Sequence, residues 1–356
     1  MAEKVLMKGN EALAEAAIAA GCRHYFGYPI TPQTEVAAYF AKRMPKIGGT
    51  FLQAESEIAA INMVLGVAAA GLRAMTSSSS PGISLKGEGI SYIAGSDLPC
   101  LIVNVERGGP GLGGIQPSQS DYFQATRGGG HGDYHCLVLA PGSVQEMADF
   151  AFHGFELADR YRMPVMLLAD GTLGQMMEPV SLDYGEPVTV EKPWATNGTR
   201  MQRKHNICNS LFLQPEELER ENIRRYQRYE EIKKNEARAV SYEMDDAEIC
   251  IVAFGIASRV ALNAMHAARA QGKKVGLIRP TTVWPFPSQA LAEAAQRCKA
   301  FVCVELSMGQ MIEDVELSIR CKRPVVLCNR VGGVIPSPQE VLAAIEKAEK
   351  LGGETL

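Results

Sequence analysis

Glu57 stands at the head of an otherwise apolar stretch, Ile58 to Gly71, in a chain of 356 residues. A carboxylate there can answer a helix dipole, or it can sit buried and hydrogen-bond a ligand. Glu55 is two residues away and cannot share its helix face. Arg107 follows the apolar run CLIVNVE and precedes the glycine-rich loop GGPGLGG, residues 108–114. A guanidinium at the C-terminal end of a buried strand can pair with both oxygens of a carboxylate. It can equally pin the loop through backbone carbonyls. Gly109, Gly111 and Gly114 also match G-x-G-x-x-G, the mark of an NAD(P) oxidoreductase when a helix follows at once. Pro117 speaks against that helix, so a flexible active-site loop is the favoured reading. Asp121 is placed to shape the same pocket.

Two further groups invite chemistry. Ser77 to Ser80 could bind an anion at a following helix start or simply cap it. His131, Asp133 and His135 lie close in sequence, but no fourth metal ligand is nearby, and local turn bonding accounts for them.

These residues must be held by a scaffold, and its pattern is legible. Residues 98–106, 135–140 and 163–170 are short, apolar and rich in Val, Ile and Leu. They read as strands buried on both faces. Helical patterns cover 9–21, 56–71 and 143–162, the last opened by a capping box of Ser143 and Glu146. The alternation implies a parallel sheet with helices on both faces. It breaks near 178 and is followed by a densely charged stretch, 214–238, read as a solvated connecting helix. It resumes with strands at 248–255, 273–280, 299–306 and 323–329. Helices are expected at 258–272, 288–298 and 337–350, the last with a second capping box, Ser337 and Glu340. The expected domains are 1–190 and 245–356, joined by a linker over 191–244.

Lys and Arg total 36 and Asp and Glu 40, a net charge of −4. That balance does not suit a chain whose task is holding nucleic acid. No apolar run reaches the roughly 18 residues of a membrane span, and the charged N-terminal stretch does not read as a signal peptide. A cytoplasmic location is expected. No two of the nine cysteines have C-x-x-C spacing, so no iron–sulfur cluster or structural zinc is expected in this chain.

Tyr28-Pro29-Ile30-Thr31-Pro32, Ser56-Glu57, and Val105-Glu106-Arg107-Gly108-Gly109 occur in order. With residues 278–287, IRPTTVWPFP, and 304–310, VELSMGQ, they resemble the α subunit of multi-subunit 2-oxoacid:ferredoxin oxidoreductases. The resemblance implies a thiamine-diphosphate pyrimidine-side domain followed by a transketolase C-terminal-like α/β domain. It implies that Glu57 hydrogen-bonds the cofactor's pyrimidine ring and promotes the imino form that deprotonates the thiazolium carbon. Pro29 and Ile30 would lie beside the cofactor, Thr31 would hydrogen-bond the substrate, and Arg107 would hold its carboxylate. A β subunit would carry the diphosphate and Mg²⁺. Further companions in the family, γ and ferredoxin-like δ chains, would carry iron–sulfur clusters and pass electrons to ferredoxin. Coenzyme A would accept the acyl group. The chain itself is expected to bind no metal. Asp170-Gly171 and Asn197-Gly198 loosely imitate the family's diphosphate–Mg²⁺ signature, but the segment between them lacks the expected helix and the match reads as coincidence. The pattern leans to branched-chain 2-oxoacids such as 2-oxoisovalerate, with 2-oxoglutarate next. For the latter, Arg127 is an available cation for the distal carboxylate. A competing role is a docking subunit with an idle site.

Overall fold

A computed structural model describes residues 4–354, and the alternating apolar runs form two large sheets beside a small antiparallel pair of Val5–Lys8 with Met177–Val180. The larger has seven strands, in the order Thr282–Trp284, Leu137–Leu139, Pro164–Asp170, Cys100–Glu106, Ala74–Ser78, His24–Gly27 and Thr50–Gln53. All are parallel except Thr282–Trp284, which runs antiparallel to Leu137–Leu139. Strand residues alternate faces, and the packing follows. Helix Val144–Tyr161 lays Gly154 against Leu101, Leu139 and Val165. Helix Ser80–Gly95 brings Ile83 and Ile90 beside Met166, on the opposite face. Both faces are thereby covered, as a parallel sheet requires.

The second sheet has five strands, in the order Val325–Asn329, Ala300–Glu305, Ile249–Ala253, Val275–Pro280 and Ala239–Tyr242, the last antiparallel. Its period of two divides its side chains between two cores. Ile249, Ile251, Val275, Leu277, Val302 and Val304 pack under helices Gly255–Ala270 and Pro338–Glu354. Cys250, Val252, Ile278, Phe301 and Cys303 join the core of the first sheet. Burying one such side chain fully is worth about 1.5–3 kcal/mol, so the two sheets are bound by a shared apolar layer. Arg279 adds a paired contact to Glu146 at 2.8 and 2.6 Å. Two strands also trade places: Thr282–Trp284, in the C-terminal half of the chain, edges the first sheet. Ala239–Tyr242, from the stretch read as linker, edges the second.

The helix boundaries expected from the sequence stand within a few residues, at Gly9–Ala19, Glu57–Ala69 and Val144–Tyr161. Ser143 accepts from the Glu146 backbone, but the Glu146 carboxylate turns to Gly142 and Arg279, so that box is half made. Ser337 and Glu340 bond reciprocally, completing the second box.

The charged helix, Pro215–Glu236, is docked rather than merely solvated. Arg225, Tyr229, Ile232 and Glu236 are buried, and Asp97 accepts from Arg224, Arg225 and Arg228. Asp97 adopts a positive φ of 52°, which Asp and Asn tolerate. Burial raises the Asp97 carboxyl, but Arg228, Arg225 and Arg224 outweigh it and hold it below its usual range. Its folded value is depressed, so this stabilisation is present above the unfolded carboxylate range and is lost as pH falls through the folded value. Asp97→Asn keeps the backbone and removes the charge, leaving Arg225 buried without it. The variant is expected to lose about 3 kcal/mol of stability, measured by chemical denaturation at neutral pH. An unchanged midpoint would mean the clamp carries no weight.

Candidate active site

The parallel strands end on one edge of the larger sheet, and the chemistry-bearing residues follow those ends. Tyr28 to Thr31 follow His24–Gly27, Glu57 follows Thr50–Gln53, Ser80 follows Ala74–Ser78, and Arg107 follows Cys100–Glu106. Ligands of open α/β sheets bind at such an edge.

Glu57 is the first residue of its helix, behind an N-cap in which Ser56 accepts from the Ala59 backbone at 3.2 Å. It is only 6% exposed. No described residue donates a hydrogen bond or offers an ion-pair nitrogen to its carboxylate. A buried polar group without a partner calls for an explanation. Gly82 lets the two helices close on it: an added Cβ there would come 2.7 Å from Glu57 Oε1 and would also strike Ser78 Oγ.

Arg107 is buried and bridges two loops. Its guanidinium donates to the carbonyls of Thr31 at 3.0 Å and Leu112 at 3.1 Å, while its Nε has no partner. The loop-pinning role is therefore present in the structure. Ser80 Oγ fixes the arginine's backbone, at 3.1 Å from its amide and 3.3 Å from its carbonyl. Thr31 is thus joined to Arg107 through its main chain, and it lines a second cleft with Glu35, Gly171 and Thr172. Tyr28, Pro29 and Thr31 are exposed, and Ile30 is half-buried.

Arg107 also lines a cavity of about 670 Å³ between the two sheets, with Ser80, Asp121, Leu306, Met308 and Val331. Asp121 accepts from Asn104 at 2.8 Å. Burial raises its carboxyl, with Ser80 and Asn104 acting the other way. Behind it, Glu106 is fully buried. Its Oε1 accepts from the Asp121 amide and its Oε2 has no partner, so burial, with Asp121 and Asp170, pushes it well above the carboxylate range.

The remaining candidates separate. Residues 109–114 meet no helix before Tyr122, so the three glycines do not open the helix that a dinucleotide fingerprint needs. His135 stacks on Trp284 at 4.4 Å and is a packing residue. Ser77 and Ser78 lie in a strand rather than a loop, and Ser77 bonds Tyr25 and Gln33. Asp170 caps the following helix through Thr172 and Leu173, and it accepts from Ile256 of the second domain. Burial pushes its carboxyl up to about 6 against those backbone bonds. Asn197 accepts from Arg203 instead, so these two do not form a joint diphosphate–Mg²⁺ site. Arg127 is not free for a distal carboxylate: it pairs with Asp314 at 3.0 and 3.2 Å and lies over Phe123. Lys86, fully buried on helix Ser80–Gly95, was not expected from the sequence. A lysine between the isoleucines of PGISLKGEGISYIAG was the available signal.

Residues 15–249 match the model for the pyruvate flavodoxin/ferredoxin oxidoreductase thiamine-diphosphate-binding domain, and residues 247–341 match the pyruvate:ferredoxin oxidoreductase core domain II. The chain belongs to the 2-oxoacid:ferredoxin oxidoreductase family. Among its relatives is ketoisovalerate oxidoreductase subunit VorB of Methanothermobacter marburgensis, 50% identical, with 98% of each chain covered. The 2-oxoglutarate synthase subunit KorA of Methanocaldococcus jannaschii is 37% identical over 95% of this chain and 98% of that one. A solved family member is the 2-oxoglutarate:ferredoxin oxidoreductase of Magnetococcus marinus, with 2-oxoglutarate, coenzyme A and succinyl-CoA bound. It superposes with a TM-score of 0.87 at 28% identity, over 98% of this chain and 65% of that one. A split-gene transketolase shares the fold, with a TM-score of 0.62 at 15% identity. The family's fold and oxidoreductase activity thus agree with the resemblance drawn from the motifs. Among the described residues, no helix is long and apolar enough to cross a membrane.

Proposed function

We propose that this chain is the α subunit of a complex that oxidatively decarboxylates a branched-chain 2-oxoacid, 2-oxoisovalerate ahead of 2-oxoglutarate. The balance is 2-oxoacid plus coenzyme A giving acyl-CoA, CO2, a proton and two electrons for ferredoxin. The observation that carries the reading is Glu57, a buried carboxyl with no described partner, at the C-terminal edge of the parallel strands. A pyrimidine nitrogen fits that unmet hydrogen bond. Thiamine diphosphate supplies the carbanion-stabilising centre on which such decarboxylations depend. Glu57 holds and exchanges the proton at that nitrogen, with Pro29 and Ile30 beside the ring. Arg107 and Thr31 orient the 2-oxoacid.

The diphosphate and Mg²⁺ belong on a β subunit, since Asp170 and Asn197 are each committed elsewhere. Iron–sulfur clusters belong on further partner chains. The exposed loop Tyr28 to Thr31 suits a site completed by a partner. The complex operates in the cytoplasm.

Identity favours the branched-chain substrate, at 50% to the ketoisovalerate relative against 37% to the 2-oxoglutarate relative. The cavity supports it independently. Leu306, Met308 and Val331 make much of its wall apolar, Arg107 is the one cation among the described residues that line it, and Asp121 would repel a second carboxylate. A substrate panel on the assembled complex is expected to give the highest kcat/KM with 2-oxoisovalerate. Activity on 2-oxoglutarate alone would overturn the assignment.

A further inference from the structure

Helices Glu57–Ala69 and Ser80–Gly95 meet along a stripe of small residues. Gly82 abuts Glu57, and Gly89 abuts Ile61, one turn further along the first helix. Lys86 lies between the two glycines at the i+4 and i+7 spacing that keeps all three on one helix face. Its side chain is 0% exposed, so it is enclosed within the packed structure. Its Nζ meets no hydrogen-bond acceptor and no carboxylate within ion-pair distance.

An enclosed ammonium without an acceptor destabilises a fold, and an unbranched apolar side chain would fill the same space without that cost. Packing therefore does not account for a lysine here. We propose that Lys86 is a positioning residue for Glu57, whose buried positive charge favours the ionised carboxylate and so leaves the shared proton on the bound pyrimidine nitrogen.

The direction follows from electrostatics. A nearby cation stabilises a carboxylate over a carboxylic acid. The proton moves from Glu57 to the ring nitrogen, and no other group changes charge. Burial pushes the Lys86 amine down to about 8, Glu57 acting the other way as the charged group it senses. The ammonium form therefore predominates at neutral pH. The inference rests on the reading of Glu57 as the cofactor carboxyl.

The test uses Lys86→Met and Glu57→Gln in the complete complex loaded with thiamine diphosphate. The readouts are the exchange of the cofactor's thiazolium C2 proton for deuterium, followed by quenched NMR, and the thermal unfolding midpoint. Lys86→Met is expected to slow exchange about tenfold, with an equal or higher midpoint. Glu57→Gln is expected to be slower still. Wild-type exchange in Lys86→Met beside slow exchange in Glu57→Gln overturns the role of Lys86 and leaves that of Glu57 standing. A lowered midpoint in Lys86→Met also overturns it, because the lysine would then be a structural support. Wild-type exchange in Glu57→Gln refutes the underlying reading itself.

Discussion

Glu57→Gln in the assembled complex is expected to lower turnover by about 10²–10⁴-fold, the usual scale for losing a general acid–base group. Glutamine is nearly isosteric, and Ser56, not Glu57, caps the helix. The helix should therefore persist, and assembly with it. Glutamine can still occupy the space beside Gly82, but its amide cannot exchange a proton with a ring nitrogen. The loss should fall on kcat, with cofactor binding weakened far less. Stopped-flow turnover and a size measurement of the complex check both halves. Wild-type rates would return Glu57 to a helix-dipole role, in which a neutral glutamine costs about 0.3–1 kcal/mol of stability and no activity.

Arg107→Lys is expected to lower kcat/KM for the 2-oxoacid by about 10–100-fold. A charge-assisted hydrogen bond contributes about 1.5–3 kcal/mol, and each 1.36 kcal/mol is tenfold. The arginine already spends donors on the Thr31 and Leu112 carbonyls, and its Nε remains unpartnered. A planar fork can anchor two loops and still face a carboxylate, whereas an ammonium has one compact donor centre. The substitution should raise KM and impair decarboxylation at full cofactor occupancy. If both constants stay at wild-type values with the cofactor saturated, Arg107 is a loop anchor and does not hold substrate.

The sequence by itself determined the α/β architecture, most strand and helix positions, and the family, through Tyr28 to Pro32, Glu57 and Arg107. Strands buried on both faces are written as continuous apolar runs, and helix starts such as Ser143 and Ser337 are written in their caps; both signals are local. The candidate site was legible where a residue stands out against its neighbours, as Glu57 does in an apolar helix. Its partners were not legible. Arg127 reads as a free cation in the chain, yet its counter-charge Asp314 lies 187 residues away. Nothing in the chain around Asp170 shows that its second oxygen accepts from Ile256 of the other domain. Strands Ala239–Tyr242 and Thr282–Trp284 carry no local signal of their own, because edge strands are chosen by what lies beside them. Lys86 resembles any surface lysine until two helices close over it. Local patterns fix which elements form, because a helix or strand is decided within a few turns of chain. Which charges are paired, buried or left unmet depends on atoms brought together from distant segments, and only the tertiary structure decided that.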